Sequence, residues 1–425
     1  MLRSSRFRRL AGVLSRPRTW VIPYVVLWVL VGLLPITQTD LDIFFWPAAT
    51  VAVQGQPLMV YSKGGQSVYP DANGPTSLLP LTAVGLVADR LGWDSIDRRR
   101  PLALGAFSLF LLLMAREGVA AIERLRRRRL ATIPRLLAYG ALTLAPPIWQ
   151  AVAGYGHIEQ PIEIWLLLVA ARWLAQGWAL RAGLALGLSV LSRSAIGLMA
   201  IPLAFAALRK GPGTFARLFG ATAATGLAGL LPFYLADSPD LVHSLFTYRG
   251  GLPVGAGSIW SVASDPSVLR FIQHWDILFV VAAALTANVW FATRPGGFTE
   301  ERMLGGMTLT SAAFVLFAKT VWPYYFFELF VLATIWTFGR WRRADGPVRL
   351  ALAPIAITIL GMIAELGPIP GQGTRLVAAE GGGMFVMVGL TAIWLAWMAR
   401  RSPDAPGSRG NEQPAEAAGP AAAAP

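Results

Sequence analysis

There is no cysteine in this 425-residue chain, so disulfides, cysteine-ligated zinc and thiol nucleophiles are excluded together. Histidine is scarce, at three residues, and charged side chains make up only 14% of the total. The GxGxxG and Walker A phosphate loops are missing, as is the HExxH helix of zinc proteases. Nucleotide hydrolysis and zinc proteolysis therefore have no motif to rest on. No small-x-small cleavage site precedes Thr37, which marks the first apolar run as a retained helix rather than a signal peptide.

What the chain does have is apolar length. Hydrophobic residues make up 55%, with 16 Trp and 21 Phe, and the apolar runs recur along almost the whole sequence. This pattern predicts an all-α polytopic membrane protein. The net charge of +14 sits in short arginine clusters between apolar runs. Clusters so placed are topology determinants rather than a nucleic-acid face. Arginine and alanine are abundant and lysine rare, a usage expected of a GC-rich bacterial genome and hence of a bacterial plasma membrane.

The arginines set a topology. The first apolar run, 20–36, follows a basic tail over residues 1–18 that holds Arg3, Arg6, Arg8, Arg9, Arg16 and Arg18. Basic flanks stay cytoplasmic, so Asp40 and Asp42 should emerge on the opposite face. The next cluster, 116–135, contains Arg124 and Arg126 to Arg129 and is cytoplasmic by the same rule. Of the two apolar runs between, 77–88 and 101–115, only one can then span. The run 77–88 has about half of the ~20 residues a span needs and is broken by Pro80, so it is assigned to a helix against the outer interface. Residues 37–100 then form one large outer loop, which leaves Arg98, Arg99 and Arg100 outside against the rule.

Further helices are expected over 134–153, 161–178, 181–192, 214–235, 271–293, 303–318 and 324–339, with a turn near Arg193 that returns to Arg209 and Lys210. A hairpin over 347–366 and 380–399 closes a membrane domain of residues 19–399. The tail 400–425 is rich in Pro, Ala and Gly and is expected to be disordered and cytoplasmic. The sum is roughly twelve spans with both termini cytoplasmic and the polar clusters outside.

Those clusters contain the chemistry. Asp40 and Asp42, at i and i+2, cannot share a helical face, but in an extended segment both point the same way. One can serve as general base on a hydroxyl while the other orients it or holds a divalent cation; alternatively, both solvate the mouth of the first span. His157, beside Glu159, suits phosphate binding or proton transfer, or a backbone-bonded helix end. Arg193 interrupts an apolar segment and needs an anion, either a lipid-linked phosphate or an internal partner such as Glu159 or Glu163. Tyr248 and Arg249 precede Gly250 and Gly251, a combination suited to a sugar or phosphate, or to a mobile loop of no special role. Lys319 lies near Trp322, Tyr324 and Tyr325, which also fit interfacial anchoring, and Glu328 needs a partner such as Lys319.

The stretch Asp40-Leu41-Asp42-Ile43-Phe44, then Ala48-Ala49 and Gly55-Gln56-Pro57 before Tyr61, resembles the first outer loop of GT-C glycosyltransferases. It is most similar to the family 87 mannosyltransferases and the dolichol-phosphate-mannose enzymes of GPI-anchor synthesis. Tyr69-Pro70 resembles the Tyr-Pro-Pro element of that loop, with Asp71 in place of the second Pro. Gly156-His157-Ile158-Glu159 looks like the second-loop element, Arg193 stands where many relatives have Lys, and Lys319 to Tyr325 is similar to the late outer segment near the donor phosphate.

The resemblance implies inverting transfer of a sugar, mannose first, from a polyprenyl-phosphate donor to a hydroxyl of a lipid or polysaccharide acceptor. It implies Asp40 as base, with Arg193, Arg249 and Lys319 as candidates for holding the phosphate. No nucleotide is needed, and a divalent cation on the acid pair stays open. The rival from another class is a transporter or lipid-linked sugar flippase. Transporters of that kind often show two similar halves, and no internal repeat is evident here. A second rival keeps the fold and uses polyprenyl-linked arabinose or glucose.

Overall fold

The computed structural model describes residues 10, 12–14, 16–34, 39–63, 73–255, 258–294 and 298–340. The Tyr69-Pro70 element, the expected hairpin over 347–366 and 380–399, and the tail 400–425 lie outside the described residues. Among those described there is no β-strand, only one isolated bridge between Asn73 and Arg193. Among the described residues, twelve helices of eight residues or more carry the fold. They are α1 (Val21–Gly32), α2 (Trp46–Val53), α3 (Pro75–Arg90), α4 (Ile96–Arg126), α5 (Thr132–Leu144) and α6 (Gln160–Ala175). They continue with α7 (Ala179–Val190), α8 (Ala200–Lys210), α9 (Pro212–Ala236), α10 (Pro266–Thr293), α11 (Glu300–Phe317) and α12 (Phe326–Arg340).

Four stretches among the described residues are long and apolar enough to cross a membrane: α4, Thr132–Gly154 (α5 with the turns after it), α9 and α10. The protein is thus an all-α membrane protein. Two of its helix starts show ordinary side-chain capping. Asp265 accepts from the Ser267 N–H ahead of α10, with Pro266 in the first turn, and Thr299 accepts from the Arg302 N–H ahead of α11, where Glu300 and Glu301 meet the positive end of the helix dipole. Gly211, at φ +119°, breaks α8 from α9 where a side chain would be strained.

The core forms around α4, which packs against α1, α5, α6 and α12 and buries Phe107, Leu111, Met114 and Ile122. A second layer builds outward through α6, α7 and α9. Gly183 and Gly187, four residues apart on α7, let α9 approach closely, as small residues do between membrane helices. A Cβ on Gly183 would stand 2.2 Å from the Leu218 carbonyl oxygen, and the Thr222 hydroxyl donates to the Gly183 carbonyl at 3.1 Å.

Polar contacts sort the two ends of the bundle. At one end Arg124 pairs with Glu300 at 2.9 Å, Glu117 accepts from Arg124 and forms an ion pair with Arg172 at 3.4 Å, and Lys210 donates to the carbonyls that end α6. This is the arginine-rich end. Asp40, Asn73, His157, Arg193 and Tyr324 gather at the other.

Several expected boundaries shift. The run 101–115 is the middle of α4, which begins at Ile96 and absorbs Arg116 and Arg124. The expected outer loop 37–100 is largely helical, with α2, α3 and the start of α4 in it. The acid pair is not extended either: Asp40 opens a helical stretch whose first turn, Leu41–Phe45, is π-helical and runs into α2. Asp42 accepts from the Thr39 N–H and hydroxyl, both at 3.0 Å, as the third helical residue of a capping box does.

Helix-to-helix approach at Gly183 gives a direct test. Gly183→Ala should lower stability by about 1–3 kcal/mol, because α7 and α9 must separate to admit the methyl group. Thermal unfolding of the purified protein in detergent reads this loss, and an unchanged midpoint would show that the contact contributes nothing.

Candidate functional site

The site is built where the start of the Asp40 helix meets the loop ahead of α6. The Asp40 N–H donates to the Tyr155 carbonyl at 2.9 Å, which ties the two segments by backbone. Gly156 makes this approach possible. Its φ is +79°, and a Cβ would stand 2.7 Å from the Leu41 Cβ and 2.8 Å from the Leu41 nitrogen. The π-helical turn Gln150–Gly154 precedes it, and the His157 N–H returns to the Ala151 carbonyl at 2.9 Å. His157 is thereby aimed at Asp40.

Both ring nitrogens of His157 meet carboxylates. Nε2 lies 2.9 Å from Asp40 Oδ2, and Nδ1 lies 2.5 Å from Glu159 Oε1. The Tyr324 ring lies against the imidazole, tilted by 30° with centroids 3.6 Å apart, and Phe45 meets it edge-on at 5.8 Å. Burial pushes the imidazole pKa down, but the flanking Glu159 and Asp40 outweigh it, so the net direction is up from the ordinary 6.5. Glu159 sits at the N-terminus of α6, where the helix dipole favours its negative charge.

A second charged group lies behind this one. Arg193 follows α7 and donates through Nη1 to Glu328, while the same nitrogen is 3.6 Å from Glu163. Its guanidinium lies 5.0 Å from the centre of the Tyr325 ring and 5.8 Å from that of Tyr324. Burial works against the charge, and Glu328 and Glu163 overcome it, raising the Arg193 pKa. Glu163 was one expected partner; Glu159 instead goes to His157. The expected Lys319–Glu328 pairing is overturned, because Glu328 accepts from Arg193 and from Gln160 at 3.2 Å. Lys319 donates through Nζ to the Gly250 and Gln273 carbonyls, both at 2.6 Å. Carbonyl oxygens thus supply the partners that a buried ammonium requires.

Asp40, His157 and Arg193 line one cavity of about 230 Å³, together with Asn73, Ser194, Ser244, Tyr248, Tyr324 and Tyr325. Phe44, Leu245, Leu252 and Trp322 make its apolar wall. Asn73, Ser194 and Ser244 are absent from the residues picked out by sequence, since single Asn and Ser residues in loops give no spacing signal. Lys319 and Glu159 do not line the cavity. Arg249 lies in the helical turn Tyr248–Gly251, and its side chain is outside what the structure describes.

Asp42 turns away from Asp40, because positions i and i+2 on a helix point about 200° apart. Its carboxylate, buried with a side-chain exposure of 1%, pairs with Arg100 Nη2 at 2.7 Å. The two acids therefore do not fit a shared divalent cation. The pairing also gives Arg100 a local reason for its position. It neutralises a buried acid.

Among known proteins, no family model matches the chain and no curated sequence gives a significant match.

The Asp42–Arg100 pair has a testable energetic signature. Arg100→Met strands a buried carboxylate and should cost about 3–5 kcal/mol, whereas the Asp42→Leu/Arg100→Met double variant should recover most of it. Detergent thermal unfolding of all three variants reads the coupling. Equal losses in the single and double variants would show that the two charges do not depend on each other.

Proposed function

We propose that the protein is an inverting GT-C glycosyltransferase that moves a sugar, with mannose the first candidate, from a polyprenyl-phosphate donor to a hydroxyl of a lipid or polysaccharide acceptor. In this reading the chain has roughly twelve spans in a bacterial plasma membrane, with both termini cytoplasmic and the Asp40 end facing outward. The observation that carries it is the joint cavity: a half-buried carboxylate, Asp40, shares about 230 Å³ with Arg193 and His157 beneath an aromatic and apolar wall. A hydroxyl to be deprotonated, a phosphate to be held and a polyprenyl chain to be sheltered need these three surfaces.

Asp40 accepts the proton of the acceptor hydroxyl as its oxygen attacks the anomeric carbon from the face opposite the phosphate. The bond from that carbon to the phosphate oxygen breaks, and its electron pair leaves with the lipid phosphate. Arg193 is the phosphate contact, since it lines the cavity with its back held by Glu328 and Glu163. Lys319, with its ammonium bound by two carbonyls, is a scaffold for the loop around Gly250. Tyr248, Tyr325 and Trp322 offer aromatic faces for the sugar and the lipid.

The test is transfer itself. Protein in nanodiscs is offered radiolabelled polyprenyl-phosphate-mannose with lipid and cell-wall polysaccharide extracts. Wild type should produce labelled glycoconjugate, and Asp40→Asn should reduce the rate by about 10²–10⁴ with folding intact. Full activity in Asp40→Asn removes the base assignment. Movement of intact donor across proteoliposomes without transfer favours the flippase.

A further inference from the structure

Glu159 is 1% exposed and absent from the cavity wall, yet it makes the shortest contact of the His157 ring, 2.5 Å to Nδ1. A carboxylate that is ionised can only accept hydrogen bonds, and a neutral imidazole has a single N–H to donate. His157 has a carboxylate at each nitrogen. Satisfying both demands the imidazolium, with two N–H groups.

The other groups facing the ring come from separate elements. Asp40 reaches it from the start of the α2 stretch, and its side chain is 25% exposed against 1% for Glu159. Tyr324, from the turn before α12, covers the ring face with its phenol ring. Arg193 lies beyond Tyr324 and is already paired with Glu163 and Glu328. The carboxylate least screened by solvent is therefore Glu159, and it holds the stronger claim on the ring's charge.

We propose that Glu159 is a positioning residue that keeps His157 doubly protonated, so that the cavity presents an imidazolium beside Arg193 as counter-charge to a phosphate monoester. The proposal rests on the glycosyltransferase reading only for the source of that phosphate. A polyprenyl phosphate gains one negative charge as the sugar leaves it, and a fixed imidazolium stabilises the product side of that change without giving up a proton. Activity should then fall as pH rises through the folded pKa of His157, and Glu159→Gln, which keeps the shape and a hydrogen-bond acceptor, should move that alkaline limb to lower pH.

The decisive experiment needs no sugar transfer. The chain has three histidines, so replacing His243 and His274 with Gln leaves His157 alone to be followed by imidazole NMR through a pH titration in nanodiscs. Wild-type His157 should titrate above 6.5, and Glu159→Gln should lower the midpoint by about one pH unit or more, a further drop than Asp40→Asn produces. Adding a polyprenyl monophosphate should raise the wild-type midpoint again. A wild-type midpoint at or below 6.5, or a larger effect from Asp40→Asn, overturns the role of Glu159. A midpoint indifferent to polyprenyl monophosphate overturns the counter-charge. If the titration behaves as expected and no sugar is transferred, the imidazolium site stands and the glycosyltransferase reading falls.

Discussion

A charge surrounded by apolar helices must find its partner inside the protein, because the bilayer and the packed core offer none. That constraint arranges the whole Asp40 end. Asp42 pairs with Arg100, His157 bridges Asp40 and Glu159, Arg193 answers Glu163 and Glu328, and Lys319 is taken up by carbonyls and the loop around Gly250. Apart from His157 with Glu159, each pair joins segments well separated in sequence. The pairs therefore hold the cavity open while they lower the cost of its charges.

The close approaches around the site make the pairing possible. Gly156 lets the loop before α6 press against Leu41, and the backbone bond from Asp40 to Tyr155 fixes the register. Asn73 bridges Arg193 across the loop after α7, with the Gly74 N–H donating to the Ser192 carbonyl at 3.2 Å. These are rigid backbone contacts.

Much of this architecture was legible in advance. Apolar runs and arginine spacing foretold most helices, including α7, α9, α10 and α11, to within a few residues of their observed ends for most of them. Proximity of Asp40, His157, Arg193 and the Tyr324-Tyr325 turn was also expected, since all were assigned to one face. What misled was local geometry. Thr39-Asp40-Leu41-Asp42 carries the Thr-x-x-acid spacing of a helix start, and reading it as extended made one site of two acids that in fact diverge. Glu328 likewise takes its partner from Arg193, in the loop after α7, and not from Lys319 nine residues away in sequence.

By itself the sequence determined an all-helical membrane protein, the approximate helix register and the short set of polar residues that apolar surroundings would force to matter. Composition and spacing suffice for this because hydropathy and charge act on each segment locally. Only the tertiary structure decided which acid faces the cavity, which cation belongs to which carboxylate, and that Asp40 and Asp42 serve different partners. Charge pairing is settled by distances between segments well separated in sequence, up to 135 residues for Arg193 and Glu328, and those distances exist only once the helices have packed.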